Sequence, residues 1–286
     1  MREPAMTRAR RTWLFVPGAD EAAHEAAATC GADVLIQELE DFTPPERRPA
    51  ARLLARTLYD RWRAAGAIAA VRVNPLATCG GDDLAAVLAG RPDIVMMSKV
   101  AAPADVRALD AATGGTVELV PNIESAAGLI RTFDIVRASP RVSAALVASE
   151  DMVADLGTVR SRTGEELAYV RARFLVECRA AGVEAIDCPY TFSDARGAAA
   201  DARYAKRLGY RAKSLVAPSH AAAINRVFTP QRVDIARARR IVAAFERARA
   251  AGRERATVDG ALIEVPIYAA AKRLLASLDG PIAPTR

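Results

Sequence analysis

Eight short runs of β-branched and apolar residues recur along the chain: 12–17 (TWLFVP), 33–40 (DVLIQELE), 68–74 (IAAVRVN), 93–100 (DIVMMSKV), 117–124 (VELVPNIE), 143–150 (SAALVASE), 183–188 (VEAIDC) and 211–217 (RAKSLVA). Each is too short and too β-branched for a full helix, and each is followed by Ala-rich, helix-favouring sequence. A helical crossover between successive strands requires parallel pairing. Eight such units predict closure into a (β/α)8 TIM barrel. The alternative, an open doubly wound sheet, fits less well because no GxGxxG follows the first run.

The punctuation agrees with this pattern. Thr43 before Pro44 and Pro45 reads as a helix N-cap with Pro at the first helical position. Gly66, Gly182 and Gly209 stand where helices end just before strands. After about residue 227 the alternation stops. A long Arg/Ala helix at 232–252, a Gly-containing stretch from Thr257 to Pro266 and a last helix at 267–278 predict a C-terminal helical extension with a lid loop. The expected division is therefore a catalytic barrel at 1–226 and an extension at 227–286.

Composition narrows the class. The chain has 286 residues, of which 51% are hydrophobic, enough for one large core and too many for a disordered chain. Its net charge of +6 comes from 40 basic and 34 acidic residues. The arginines are interleaved with Ala and Glu along helices rather than gathered with aromatics, so they read as solvated faces and no nucleic-acid partner is expected. A mild positive field suits an anionic substrate. Cys30, Cys79, Cys178 and Cys188 form neither a CxxC nor a zinc spacing, and a chain this long needs no disulfide, so a reducing, cytoplasmic setting is expected. The stretch Met1 to Thr12 is basic without an apolar run, unlike a secretory signal, and no uninterrupted apolar stretch of about 18 residues predicts a membrane span.

In such barrels the functional face is at the C-terminal ends of the strands. Those ends carry Glu38, Glu40 and Asp41 after the second run, Arg72 and Asn74 after the third, Lys99 after the fourth, Asn122 and Glu124 after the fifth, and Glu150 and Asp151 after the sixth. Packing alone does not place charges at five consecutive ends, because buried charges need partners. Carboxylates without His or Cys suit a hard cation with oxygen ligands, and Glu124 with Asp151, on neighbouring strands, forms a candidate Mg²⁺ pair. The plainer alternative is that these acids only form ion pairs with Arg72 and Lys99. The Arg72 guanidinium is suited to grip a carboxylate or a developing enolate. Lys99 suits an ion-paired ammonium better than a Schiff base. His24, inside the first helix, reads as a surface residue. His220, near the end of the eighth run, fits either the site or helix packing. With no GxSxG and two histidines, a hydrolase triad is poorly supported.

The ordered segments LFVPG (14–18), ELED (38–41), PERRPAAR (45–52), VRVNPL (71–76), SKV (98–100), NIESAAGL (122–129), SEDMVADLG (149–157), AAGVEAIDCPYTFSD (180–194) and INRVFTP (224–230) span nearly the whole chain. Together they resemble the citrate lyase β-subunit-like branch of the HpcH/HpaI aldolase family. The resemblance implies a (β/α)8 barrel with a C-terminal extension, assembled as a homo-oligomer, a trimer or hexamer. It implies Mg²⁺ held by Glu124 and Asp151, with Arg72 and Glu124 binding substrate and Arg72 offsetting the enolate charge; either Glu264 or Glu40, if burial beside other acids raises its carboxyl, is the expected catalytic acid or base. It also implies that Glu264, in GALIEVP, is the lid acid that reaches a neighbouring subunit. The expected reaction is Mg²⁺-dependent cleavage or formation of a 3-hydroxyacyl thioester of CoA or an acyl carrier, such as citryl-, malyl- or citramalyl-CoA, with an α-keto acid as the other fragment. The sequence departs from the family in four places. Glu38 replaces the first acid of DLED, Val147 and Ala148 replace FG, Ala217 replaces the His of GKxxIHPxQ, and Glu264 is one methylene longer than the usual Asp. These departures keep two alternatives open: an aldolase acting on free keto acids, and a catalytically degenerate binding subunit.

Overall fold

The computed structural model describes residues 10–278; the reading of Met1 to Thr12 falls mostly outside them. Eight strands form a closed parallel barrel: β1 (Thr12–Pro17), β2 (Val34–Glu38), β3 (Ile68–Val73), β4 (Ile94–Met97), β5 (Glu118–Ile123), β6 (Ala144–Val147), β7 (Glu184–Asp187) and β8 (Ala212–Leu215). Closure is made by β1 against β8, with Thr12 opposite Lys213 and Leu14 opposite Leu215.

The strands read as unbroken apolar runs because both faces are covered. Trp13, Phe15, Ile36, Met96, Leu146 and Ile186 fill the barrel, while their neighbours Leu14, Val16, Leu35, Met97 and Val147 pack outward under the helices. Several expected runs are longer than the observed strands: 93–100 contracts to Ile94–Met97 and 143–150 to Ala144–Val147. Most of the trimmed residues lie past the C-terminal ends of the strands, Lys99 and Glu150 among them.

Gly182 (φ 75°) and Gly209 (φ 117°) end the helices Ala168–Ala181 and Ala195–Leu208 in the left-handed conformation that glycine adopts freely. Thr43 is not an N-cap. The short 3₁₀ turn Pro45–Arg47 before the helix Arg48–Ala64 starts after Pro44, and the Thr43 hydroxyl instead donates to the Glu38 carbonyl at 2.5 Å while accepting from Gly18 N at 2.8 Å. Nor is His24 a surface residue. It is 2% exposed, its Nε2 lies 2.8 Å from the Pro17 carbonyl oxygen, and its ring meets the Trp62 edge.

The chain divides into two compact units, Arg10–Phe228 and the segment from Thr229 onward. The second contains the helices Arg232–Ala250 and Val265–Ala276. The stretch expected as a loop between them is a hairpin, β9 (Ala256–Val258) and β10 (Ala261–Ile263), turned by Asp259 and Gly260 at φ 51° and 76°. Asp-Gly is the favoured pair for such a two-residue turn. Ala238, Ile241, Phe245, Val258, Ile263 and Ala271 form a core of this unit's own. Among the described residues no helix is long and apolar enough to cross a membrane.

Candidate active site

The site is built around the end of β2. The Glu38 carboxylate is fully buried and accepts from the backbone N–H groups of Glu40 (2.6 Å) and Phe42 (2.7 Å), so the following loop winds around it. Gly18, at the end of β1, allows that loop to approach: a Cβ there would lie 2.5 Å from the Glu38 carbonyl oxygen. Thr43 latches the loop closed from the other side.

Arg72, near the end of β3, uses all three guanidinium nitrogens on carboxylates. Nε reaches Glu38 at 3.0 Å, one terminal nitrogen reaches Glu40 at 3.2 Å and the other Glu124 at 3.4 Å. The Phe15 ring supports it from below, 4.6 Å from the guanidinium carbon. Asn74, two residues on, has a framework role: its Nδ2 donates to Asp83 (2.7 Å) and to the Leu39 carbonyl (2.8 Å), tying the ends of β2 and β3 together.

Lys99, just past β4, adopts a left-handed backbone (φ 53°). Its N–H donates to Glu124 Oε2 at 3.0 Å, and its ammonium lies 2.5 Å from Glu40 and 3.7 Å from Asp41. It is thus an ion-paired lysine, as expected. Glu124 follows β5 directly and also receives a long contact from Asn122 Nδ2 at 3.4 Å. Asp151 lies in the first turn of the helix Glu150–Asp155 after β6, where its half-buried carboxylate feels Lys99 and Arg72 without an ion pair to either.

The electrostatics follow from this crowding. Five carboxylates (Glu38, Glu40, Asp41, Glu124 and Asp151) share two cations, Arg72 and Lys99. Burial pushes the Glu124 carboxyl up to about 8; Arg72 opposes the rise, and Glu40 and Asp151 add to it. Burial also raises Asp151, with Asp41 and Glu40 contributing. Glu38 is raised by burial as well, against the pull of Arg72 and its two backbone donors. The plainer reading, in which cations satisfy all the acids, accounts for Glu38 and Glu40 and leaves the Asp151 carboxylate with only the through-space pull of Lys99 and Arg72, which Asp41 and Glu40 outweigh. Among the described residues no three of His, Cys, Asp and Glu form a ready-made cage. A Mg²⁺ ion, which takes one or two protein carboxylates and completes its shell with substrate and water, does not require one. The unpaired acid and the surplus of negative charge fit a divalent ion.

The barrel unit brings together Arg72, Glu40, Glu124 and Asp151. Glu264 belongs to the other unit, where its carboxylate is half exposed and pairs with Arg255 at 3.3 Å. His220 is buried, with Nε2 3.2 Å from the Ser193 carbonyl oxygen, in a packing role. Sequence reasoning left Glu38 without a role, although its place as the first acid of the motif was a signal. It missed a second polar group altogether. Arg171, Asp187, Asp201 and Lys213 form a closed network between β7, β8 and their helices, with N···O distances of 2.5–2.8 Å. A lysine inside an apolar strand run was the available clue.

The family model for HpcH/HpaI aldolase/citrate lyase matches residues 11–218, almost the whole barrel unit. The chain belongs to that family. The chain is 32% identical to the citrate lyase subunit beta of Escherichia coli over 283 residues, 94% of this chain and 93% of that one. It is 32% identical to the L-malyl-CoA/beta-methylmalyl-CoA lyase of Cereibacter sphaeroides, covering 93% of each. Among solved structures, CitE from Mycobacterium tuberculosis in complex with magnesium, acetoacetate and coenzyme A superposes with a TM-score of 0.78 at 27% identity, covering 95% of this chain and 98% of that one.

Proposed function

We propose that this chain is a Mg²⁺-dependent carbon–carbon lyase that cleaves, or in reverse forms, a 3-hydroxyacyl thioester of CoA, giving an α-keto acid and an acyl thioester. What supports this reading is a barrel mouth with more carboxylates than cations, where Glu124, just after β5, and Asp151, in the helix after β6, lie close enough to raise each other's burden of negative charge. Family relatives that are lyases of citrate and of malyl-CoA support it, as does the related CitE structure with magnesium and coenzyme A.

Glu124 and Asp151 are the residues that would hold the ion. When bound, Mg²⁺ supplies Lewis-acid polarisation of the keto-acid oxygens. The chain's own groups do the rest. Glu40, held among cations at the mouth, takes the proton of the substrate hydroxyl as the carbon–carbon bond breaks. Arg72 stands ready with fixed positive charge where the thioester enolate develops, which costs no reorganisation during the step. Glu264, half exposed on the C-terminal unit, is the acid we assign to a neighbouring copy's site in a trimer or hexamer; light scattering would read the assembly size. The four cysteines are free, as in a cytoplasmic, reducing compartment.

The test is Asp151→Asn. It should abolish Mg²⁺-dependent turnover of malyl-, citramalyl- and citryl-CoA and remove the heat of Mg²⁺ binding in calorimetry; full activity in this variant would refute the metal assignment. One observation favours a second reading, an aldolase on free keto acids: Ala217 replaces the family histidine. Stabilisation by Mg²⁺ and keto acid, with no response to CoA in a thermal-shift screen, would select it.

A further inference from the structure

Two cations serve the carboxylate group at the mouth, and they differ in what they can still do. The Arg72 side chain is 7% exposed and has all three of its nitrogens on Glu38, Glu40 and Glu124. The Lys99 side chain is 49% exposed, on a flexible stem with three rotatable donors. An anion arriving from solvent therefore meets Lys99 first.

The backbone of Lys99 adds a second argument. Its left-handed conformation costs free energy for any residue with a Cβ and none for glycine. The turn is used, because it aims the Lys99 N–H at Glu124 Oε2. Glycine would donate that N–H equally well without strain. The strained residue is kept where only its side chain distinguishes it from the relaxed choice, and such strain collects at functional positions.

We propose that Lys99 binds the distal carboxylate of the keto-acid fragment, and so sets a preference for substrates whose keto acid carries two carboxylates rather than one. This rests on the reading of the barrel mouth as a keto-acid site. In the free protein Glu40 and Asp41 occupy the ammonium; the substrate's second carboxylate takes their place, freeing Glu40 to act on the hydroxyl.

Calorimetry with Mg²⁺ present, using oxaloacetate and pyruvate as probes, tests it on the wild type, Lys99→Gly and Lys99→Gln. The glycine variant keeps the N–H to Glu124, and the glutamine variant keeps the length and loses the charge. The wild type should bind oxaloacetate about 10-fold or more tighter than pyruvate, as one charge-assisted contact allows. Both variants should bring that ratio to within about 2-fold, with oxaloacetate affinity falling by several-fold more than pyruvate affinity and circular dichroism confirming that each is folded. A variant that keeps the wild-type ratio overturns the assignment. So does one that loses both ligands equally, since Lys99 would then serve only through Glu40. A wild type that binds the two probes equally sinks this inference alone, whereas one that binds neither sinks the reading of the site beneath it.

Discussion

Lys213→Met tests the buried charge network behind β7 and β8. Lys213 is fully buried and its ammonium lies 2.6 Å from Asp187 and 2.5 Å from Asp201; Arg171 reaches the same two acids at 2.6 and 2.8 Å. Two positive and two negative charges thus cancel out of water. At an effective dielectric of about 20, charges at the 2.6 Å separation attract by about 6 kcal/mol, most of it offset by desolvation. Methionine fills the space but leaves two acids on one arginine. Breaking a buried pair in this way costs about 3–5 kcal/mol, a large part of the roughly 5–15 kcal/mol that holds a typical protein folded. At about 2–4 °C per kcal/mol for a chain of this size, the melting temperature should fall by roughly 6–20 °C. Urea titration by circular dichroism reads the change, with m unchanged if only stability is affected. Adding Asp201→Asn removes the stranded charge and should recover part of the loss. The pH dependence checks the same point. Burial alone would raise the Asp201 carboxyl, but Lys213 and Arg171 hold it down at about 2. Its contribution is therefore present above the unfolded value near 3.8 and is lost as pH falls toward 2. In Lys213→Met that acid-labile portion should shrink. A loss below about 1 kcal/mol, or no recovery in the double variant, refutes the reasoning.

Three further outcomes follow from the geometry. Arg72→Lys keeps one charge in place of a three-way fork, so turnover should drop about 10²–10³-fold in steady-state assays while the protein stays folded; a loss under 10-fold would remove Arg72 from the transition state. Gly18→Ala pushes a methyl into the Glu38 carbonyl at 2.5 Å and should cost about 1–3 kcal/mol in denaturant unfolding, with weakened Mg²⁺ binding as the β2 loop shifts. His24 is lowered by burial, its contact with the Pro17 carbonyl only partly compensating. Its stabilising share is present above the unfolded value near 6.5 and lost as pH falls through the lower folded value, so His24→Gln should flatten the fall in melting temperature between about pH 7 and 5.

The barrel was legible because its strands are apolar on both faces, a pattern that survives without any knowledge of contacts. The mouth was legible for a related reason: charged residues at consecutive strand ends have no packing explanation. What escaped depends on partners distant in sequence. His24 sits among Glu and Ala in its helix and looks solvated until Trp62, 38 residues on, covers it. Thr43 has the spacing of a cap, but Glu38 and Gly18 claim its hydroxyl first. Arg171, Asp187, Asp201 and Lys213 come from four elements, and no local pattern announces that they neutralise one another. Glu264 was singled out by motif alone, and its local setting, paired with Arg255, tells nothing of chemistry.

Because the segment after β2 coils around the last carboxylate of its own strand, its length is as constrained as a screw thread. One residue more between Glu38 and Thr43 would break the hold of the Glu40 and Phe42 amides and swing Glu40 away from Lys99 and Arg72. Efforts to redirect this scaffold toward other acyl groups should therefore keep the length of that segment fixed and vary side chains elsewhere on the mouth.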